Sequence, residues 1–123
     1  MSGNNFLVDS NIIIYALKGE DFVQPYFQYD TFISVITEIE ILGSLIENSD
    51  KHKAKQAIIN YCTVVLLTNP IKQETIRIGQ LYKNKLPDAI IAATPIVEGL
   101  TLVTADKGFK KIENLSLILL DVI

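Results

Sequence analysis

One cysteine and one histidine are all that this chain of 123 residues offers for thiol or imidazole chemistry. Cys62, being alone, closes no intrachain disulfide and builds no cysteine-rich zinc site; beside "TVVLL" it reads as a small core residue. His52 lies in "SDKHKAK", a charged helix start where a solvated role suffices. A metal-independent ribonuclease using paired histidines as acid and base lacks its second one, and no serine or cysteine triad can be assembled. Basic charge is not in surplus either: 11 Lys and Arg against 14 Asp and Glu give a formal net charge of −3, so any contact with nucleic acid has to be local or metal-mediated. No apolar run approaches the roughly 20 residues of a membrane span, and "MSGNNFLVDS" has no basic region ahead of its apolar part, so a cytoplasmic protein without a membrane segment is expected. The phosphate loop G-x-x-x-x-G-K-[ST] and the G-x-G-x-x-G fingerprint are missing. So are repeats, linkers and low-complexity stretches.

What is present is an apolar chain, 49% hydrophobic and 20% charged, of a length that suits one domain spanning 1–123 around a single core. "NFLVD" suits a buried strand, and "SNIIIYALKGE" a helix stopped by Gly19. Residues 21–29, interrupted by Pro25, predict a short helix and turn, followed by a brief strand "TFIS". Helical spacing of Ile39, Leu42 and Ile46 predicts a helix over 37–47, paired with a second that "SDKHKAKQAIINYC" opens. "TVVLL" predicts a strand over 63–67. Asn69 before Pro70 predicts a capped helix start, with the helix running to about Lys85. A further helix begins after Pro87 and ends at Gly99. "TLVTAD" and "LSLILLDVI" are the last two strands, with "KGFKKI" a turn between them. Strands separated by helices predict an α/β fold with right-handed crossovers and a central parallel sheet flanked by helices.

Asp9 and Asp106 each close a strand of that sheet, and in an open α/β sheet the ligand crevice lies beyond the carboxyl ends of the strands. Asp88 opens a helix after "LP", and Glu40 lies one turn inside the helix after "SVIT". Each acid has a plain structural reading: Thr37 and Glu40 have capping-box spacing, Asp88 suits the first turn of any helix, and Asp9 or Asp106 can cap the helix or turn next to it. Together at equivalent sheet edges they read as a site. Two unit charges about 4 Å apart cost roughly 4 kcal/mol at an effective dielectric near 20, so such a cluster calls for a hard divalent cation such as Mg²⁺. Glu38, two residues from Glu40, faces another way on a helix and is the weaker candidate. Asn11 is placed to orient Asp9 or to hold the first helical turn. Thr104, two residues before Asp106, puts a hydroxyl on the same side of its strand, or is simply a β-forming residue.

"FLVDSNIIIYAL", "ISVITEIEILGSL" and "LPDAIIAATPIVEGLTLVTADKGF" resemble, in order and spacing, the motifs of PIN-domain ribonucleases, and most closely the VapC-like toxins of bacterial toxin–antitoxin pairs. The resemblance covers nearly the whole chain and implies a PIN-like three-layer sandwich. It places the four acidic positions at Asp9, Glu40, Asp88 and Asp106, with Asn11 and Thr104 in support. It implies endoribonuclease activity dependent on Mg²⁺ or Mn²⁺, one or two ions held by those four acids, an RNA substrate, a small antitoxin as protein partner and a homodimer. Lys107, Lys110, Lys111 and Lys85 are candidates for gripping RNA, or solubilising surface charge. Two positions depart from the pattern: Gly43 lies three residues after Glu40 where many relatives place glycine four after, and Pro95 stands where alanine is usual and is expected to bend its helix. Three rivals stay open. A receiver-like, Mg-binding phosphoacceptor domain would carry an acidic pair after its first strand, whereas Asp9 is followed by Ser10 and Asn11. A D-x-D phosphatase would need an acid at Asn11. A non-catalytic module would bind a partner through the apolar surplus.

Overall fold

The computed structural model describes residues 5–122. Strand β1 (Phe6–Val8) runs straight into helix α1 (Ser10–Leu17), and a 3-10 segment (Asp21–Phe27) leads to β2 (Thr31–Ser34). Helices α2 (Val35–Leu42) and α3 (Ser49–Tyr61) precede β3 (Thr63–Val65), and α4 (Asn69–Leu81) and α5 (Leu86–Glu98) precede β4 (Thr101–Thr104). A short 3-10 turn (Lys107–Phe109) and β5 (Leu117–Leu119) complete the fold.

Among the described residues all four strand pairings are parallel, and the sheet order is β3-β2-β1-β4-β5. The chain builds outward on one side of β1 and then crosses to the other, so the order reverses between β1 and β4, where an open parallel sheet forms its crevice. Alternation along the strands divides the core in two. Leu7 and Leu102 join Ile71, Ile78, Ile91 and Phe109 under α4 and α5. Val8 and Val103 face the other way, onto Ile12, Ile13, Ile41 and Ile59. The sheet is thus the middle layer of a three-layer α/β sandwich.

Several boundaries differ from the sequence expectation. Helix α2 begins at Val35, with no linker after β2, because the buried Ser34 accepts the Ile36 N–H at 3.1 Å and caps it. Thr37 is therefore inside the helix and not the first member of a capping box. The same helix ends at Leu42, short of the expected Glu47, and is closed by Gly43, where a Cβ would stand 2.5 Å from the Ile39 carbonyl oxygen. Thr68, not Asn69, caps α4, and that helix stops at Leu81. β3 is shorter than predicted, and β5 covers only the middle of the predicted last strand, whose Ile123 lies outside the described residues. Pro95 deprives the Ile91 carbonyl of its helical donor. Helix α5 nevertheless continues through it to Glu98, where Gly99 turns left-handed (φ 71°) and returns its N–H to the Pro95 carbonyl.

Candidate active site

The carboxyl ends of β1 and β4 lie side by side, with Val8 paired to Val103. Asp9 comes directly after β1, is 6% exposed, and keeps the ladder going through its N–H to the Val103 carbonyl at 3.0 Å. Its side chain also caps α1 by accepting the Ser10 N–H at 2.8 Å. The plain structural reading of Asp9 as a cap is therefore true, but it occupies one oxygen only. The other, Oδ2, accepts the Thr104 hydroxyl at 2.7 Å and the Asn11 amide at 3.3 Å.

Thr104 joins two acids. While donating to Asp9, its oxygen accepts the Asp106 N–H at 3.0 Å and the Asn11 amide at 3.3 Å. Asn11 completes the knot by accepting the Ala105 N–H at 3.2 Å. Asn11 thus orients Asp9 and fixes the loop carrying Asp106, and it does not cap a helix. Asp106 is exposed, and its side chain accepts the Gly108 N–H at 2.8 Å across the turn after β4.

Glu40 approaches from α2. Its Oε1 accepts the Ser10 hydroxyl at 2.6 Å, tying the start of α1 to α2 across 30 residues. Glu38 makes no side-chain hydrogen bond among the described residues, and Glu40 is the member of the pair that meets α1. Asp88 is half-buried in the first turn of α5, after Lys85 at the cap position.

The acids sense one another. Burial raises the Asp9 pKa above the ordinary value of 3.8, hydrogen bonds from Thr104 and the Ser10 N–H oppose the rise, and the charges of Asp88 and Glu40 add to it. Asp88 is raised by burial, then by Asp106 and Glu40, with Lys85 pulling the other way. Charge coupling thus links Asp9 to Asp88 and Glu40, and Asp88 to Asp106 and Glu40, but among the described residues no three acidic, imidazole or thiol groups stand close enough together to hold a metal ion. The four carboxylates' donor set of hard, anionic oxygens under mutual repulsion fits a hard divalent cation, which would relieve both burial and like-charge costs.

Lys107 and Lys110 border a cavity of about 300 Å³ with Leu119, Leu120 and Asp121. Lys111 instead donates to the Lys83 carbonyl at 2.9 Å, which ties it to the loop after α4. A cavity of about 490 Å³ opens at the opposite, amino ends of the strands, bordered by Tyr29, Asp30, Thr31 and Tyr61. It brings together no set of catalytic groups. Ser10 was not singled out by the sequence, since a serine opening a helix looks like an ordinary terminus residue. Its partner on another helix is the signal, and that contact exists only once α1 and α2 are packed.

Solved structures with this architecture include a toxin–antitoxin complex from Klebsiella pneumoniae, 27% identical with a TM-score of 0.76, over 91% of this chain and 94% of that one. VapBC2 from Rickettsia felis, solved with a DNA fragment from its promoter, is 22% identical with a TM-score of 0.80, over 95% of this chain and 99% of that one. DNA-bound VapBC from Salmonella typhimurium is 21% identical with a TM-score of 0.74, over 93% and 96% of the two chains. No curated protein sequence matches the chain. The model of the PIN domain matches residues 6–115, and with its motifs, its sheet order and its carboxylate edge accounted for, the chain belongs to the PIN domain family.

Proposed function

We propose that this protein is an endoribonuclease dependent on Mg²⁺ or Mn²⁺ and the toxin of a toxin–antitoxin pair. The observation that carries the reading is the junction of β1 and β4, where Thr104 and Asn11 knit Asp9 to the Asp106 loop and where the charges of Asp88 and Glu40 reach Asp9. Asp9, Glu40, Asp88 and Asp106 would hold one or two ions. When bound, the cation supplies a nucleophile at neutral pH and neutralises charge on the phosphoryl oxygens. The chain's own residues do the rest. Thr104 donates to Asp9 and favours its charged form despite burial. Asn11 holds the two strand ends in register. Lys85, Lys107 and Lys110 offer charge to RNA phosphates flanking the scissile bond.

Support for a protein partner comes from the relatives solved as toxin–antitoxin complexes. A groove floored by Ile14, Leu17 and Ala54 and edged by Lys18, Lys51 and Lys55 suits an antitoxin helix with an apolar face and acidic flanks. The strongly exposed Leu45 and Ile46 after α2 suit contact with a second copy of the chain. Among the described residues no helix is long and apolar enough to cross a membrane, and we place the activity in the cytoplasm with its RNA.

The decisive experiment incubates purified protein with a panel of structured RNAs in Mn²⁺ or in EDTA and maps the cut ends. Cuts that need Mn²⁺, carry 5′-phosphates and vanish in Asp9→Asn and Asp88→Asn are expected. Cleavage that survives both substitutions together, or that persists in EDTA, overturns the reading. Copurification of a small partner from the native host tests the toxin assignment separately.

A further inference from the structure

We infer that Ser10 is a positioning residue of this site, backed by the buried hydroxyl of Thr37, and that the two together fix the Glu40 carboxylate for the divalent cation. The inference rests on the metal-nuclease reading above.

Glu40 needs fixing. It is exposed on α2, and a free glutamate side chain gives up roughly 1.5–2 kcal/mol of rotamer freedom when it is held in one geometry. A ligand set works only when such side chains are already held by their neighbours. Ser10 does this from another element: at 2.6 Å its hydroxyl makes the short contact typical of an O–H donor on a carboxylate. Its oxygen also lies 3.4 Å from Thr37 Oγ1. A hydroxyl has one proton and two acceptor positions, so with the Ser10 proton on Glu40 the Thr37 hydroxyl turns to donate to Ser10.

Thr37 is fully buried and makes no other side-chain hydrogen bond among the described residues. It precedes Glu40 by three positions, and the two therefore share a face of α2. Thr37, Ser10 and Glu40 thus form a line that begins in the core and ends at the site. The backbone beneath it is firm, because Asp9 caps α1 immediately before Ser10 and Ser34 caps α2 immediately before Thr37's turn. The Asp9–Thr104–Asn11 knot and the Thr37–Ser10–Glu40 line leave from adjacent residues, so the first turn of α1 orients an acid on each side of the space.

The test measures Mn²⁺ binding to the full-length, metal-free protein by calorimetry, alongside its melting temperature and RNA cleavage. Ser10→Ala is expected to weaken Mn²⁺ binding about tenfold, the low end of what loss of a partner behind a ligand costs. It should lower kcat at saturating Mn²⁺ and leave the KM for RNA unchanged. Ser10→Thr keeps the hydroxyl and should restore binding. Thr37→Val is nearly isosteric and apolar; it should weaken Mn²⁺ binding in the same direction while the melting temperature holds or rises, an outcome that a purely structural role for Thr37 does not produce. On a Glu40→Ala background, Ser10→Ala should add nothing further.

Ser10→Ala binding Mn²⁺ as the parent does overturns the inference and leaves the nuclease reading intact. So does a loss in Ser10→Ala that Ser10→Thr fails to restore, or one that persists undiminished on the Glu40→Ala background. A parent protein that binds no Mn²⁺ and cuts no RNA overturns both together.

Discussion

Asp9 has to stay charged where burial disfavours charge, and the oxygen that Thr104 serves decides how well it does so. Replacing Thr104 by valine keeps the shape and removes the donor, so the Asp9 pKa should climb further and the acid limb of the cleavage profile should move to higher pH. At neutral pH we expect about a tenfold loss of rate, in the range found when a partner behind a ligand is removed. Rate profiles of the two proteins across pH 5 to 8 check it, and superimposable limbs would refute it. Cys62 is the opposite case, a group kept out of chemistry: burial pushes its thiol up to about 11. Thiol reagents at pH 8 should leave it unlabelled in the folded protein and label it fully in denaturant. At this scale Asp9, Asp88 and Asp106 stood out as candidates because each lies at a strand or helix boundary, Glu40 through its place inside the motif of α2, and Asn11 through its distance of two residues from Asp9. Ser10 was not, because its role depends on a neighbour 30 residues away.

Elements carry the site through their ends. Helix α2 presents Glu40 only because it starts directly at the close of β2, where the Ser34 hydroxyl takes the Ile36 N–H in a fully buried position. Ser34→Ala should therefore cost about 1 kcal/mol, the usual loss for an N-cap, and lower the melting temperature by about 4 °C. Calorimetry of the metal-free protein measures this apart from any effect on catalysis. The sequence pattern placed this helix correctly as an element but misjudged both ends. Thr37 and Glu40 have the spacing of a capping box, and only the register of the real cap at Ser34 shows Thr37 to be interior. The far end is set by sterics: Gly43 brings its N–H to within 2.7 Å of the Ile39 carbonyl, and a side chain there would collide with that oxygen. Apolar residues at 45 and 46 continue the helical spacing past the stop, and the spacing alone gave no sign of it. Strand lengths were overrun for a related reason: "TVVLL" is apolar throughout, yet Leu66 and Leu67 are exposed beyond the end of the pairing.

At the scale of the whole molecule, alternation of strands and helices was enough to predict a parallel sheet, and the acids at strand ends pointed to its carboxyl edge as the candidate site. The reversal of strand order between β1 and β4 was not written in any local pattern, since it depends on α4 and α5 carrying the chain across to the far side of β1. That reversal sets Asp9 beside Thr104 and collects like charge in one place, at a cost in stability whose sign can be worked out. Asp88 has a folded-state pKa above its ordinary 3.8, first through burial and then through Asp106 and Glu40. The folded protein therefore binds that proton more tightly than the unfolded chain does. Its stabilising contribution is complete below about pH 3.8 and is lost as pH rises through the folded-state pKa, so at neutral pH the ionised group burdens the fold. Asp88→Asn removes the burden. Because Asp88 is only half-buried and solvent screens it, the gain in EDTA at pH 7 should be modest, about 0.5 kcal/mol. The gain should shrink toward zero as pH falls below 3.8, where the parent carboxyl is also neutral. Glu47, held low by its hydrogen bond and ion pair with Lys51, shifts stability the other way in both proteins and cancels from the comparison. Adding Mn²⁺ should reverse the order of the two: the parent gains stability by mass action, about 2.7 kcal/mol at a hundredfold excess over the dissociation constant, while Asp88→Asn gains far less. Denaturant melts at pH 7 and pH 3.5 in EDTA, with a third series in Mn²⁺ at pH 7, decide it. An Asp88→Asn variant less stable than the parent in EDTA, or equally stabilised by Mn²⁺, would mean that these acids are not gathered for a cation.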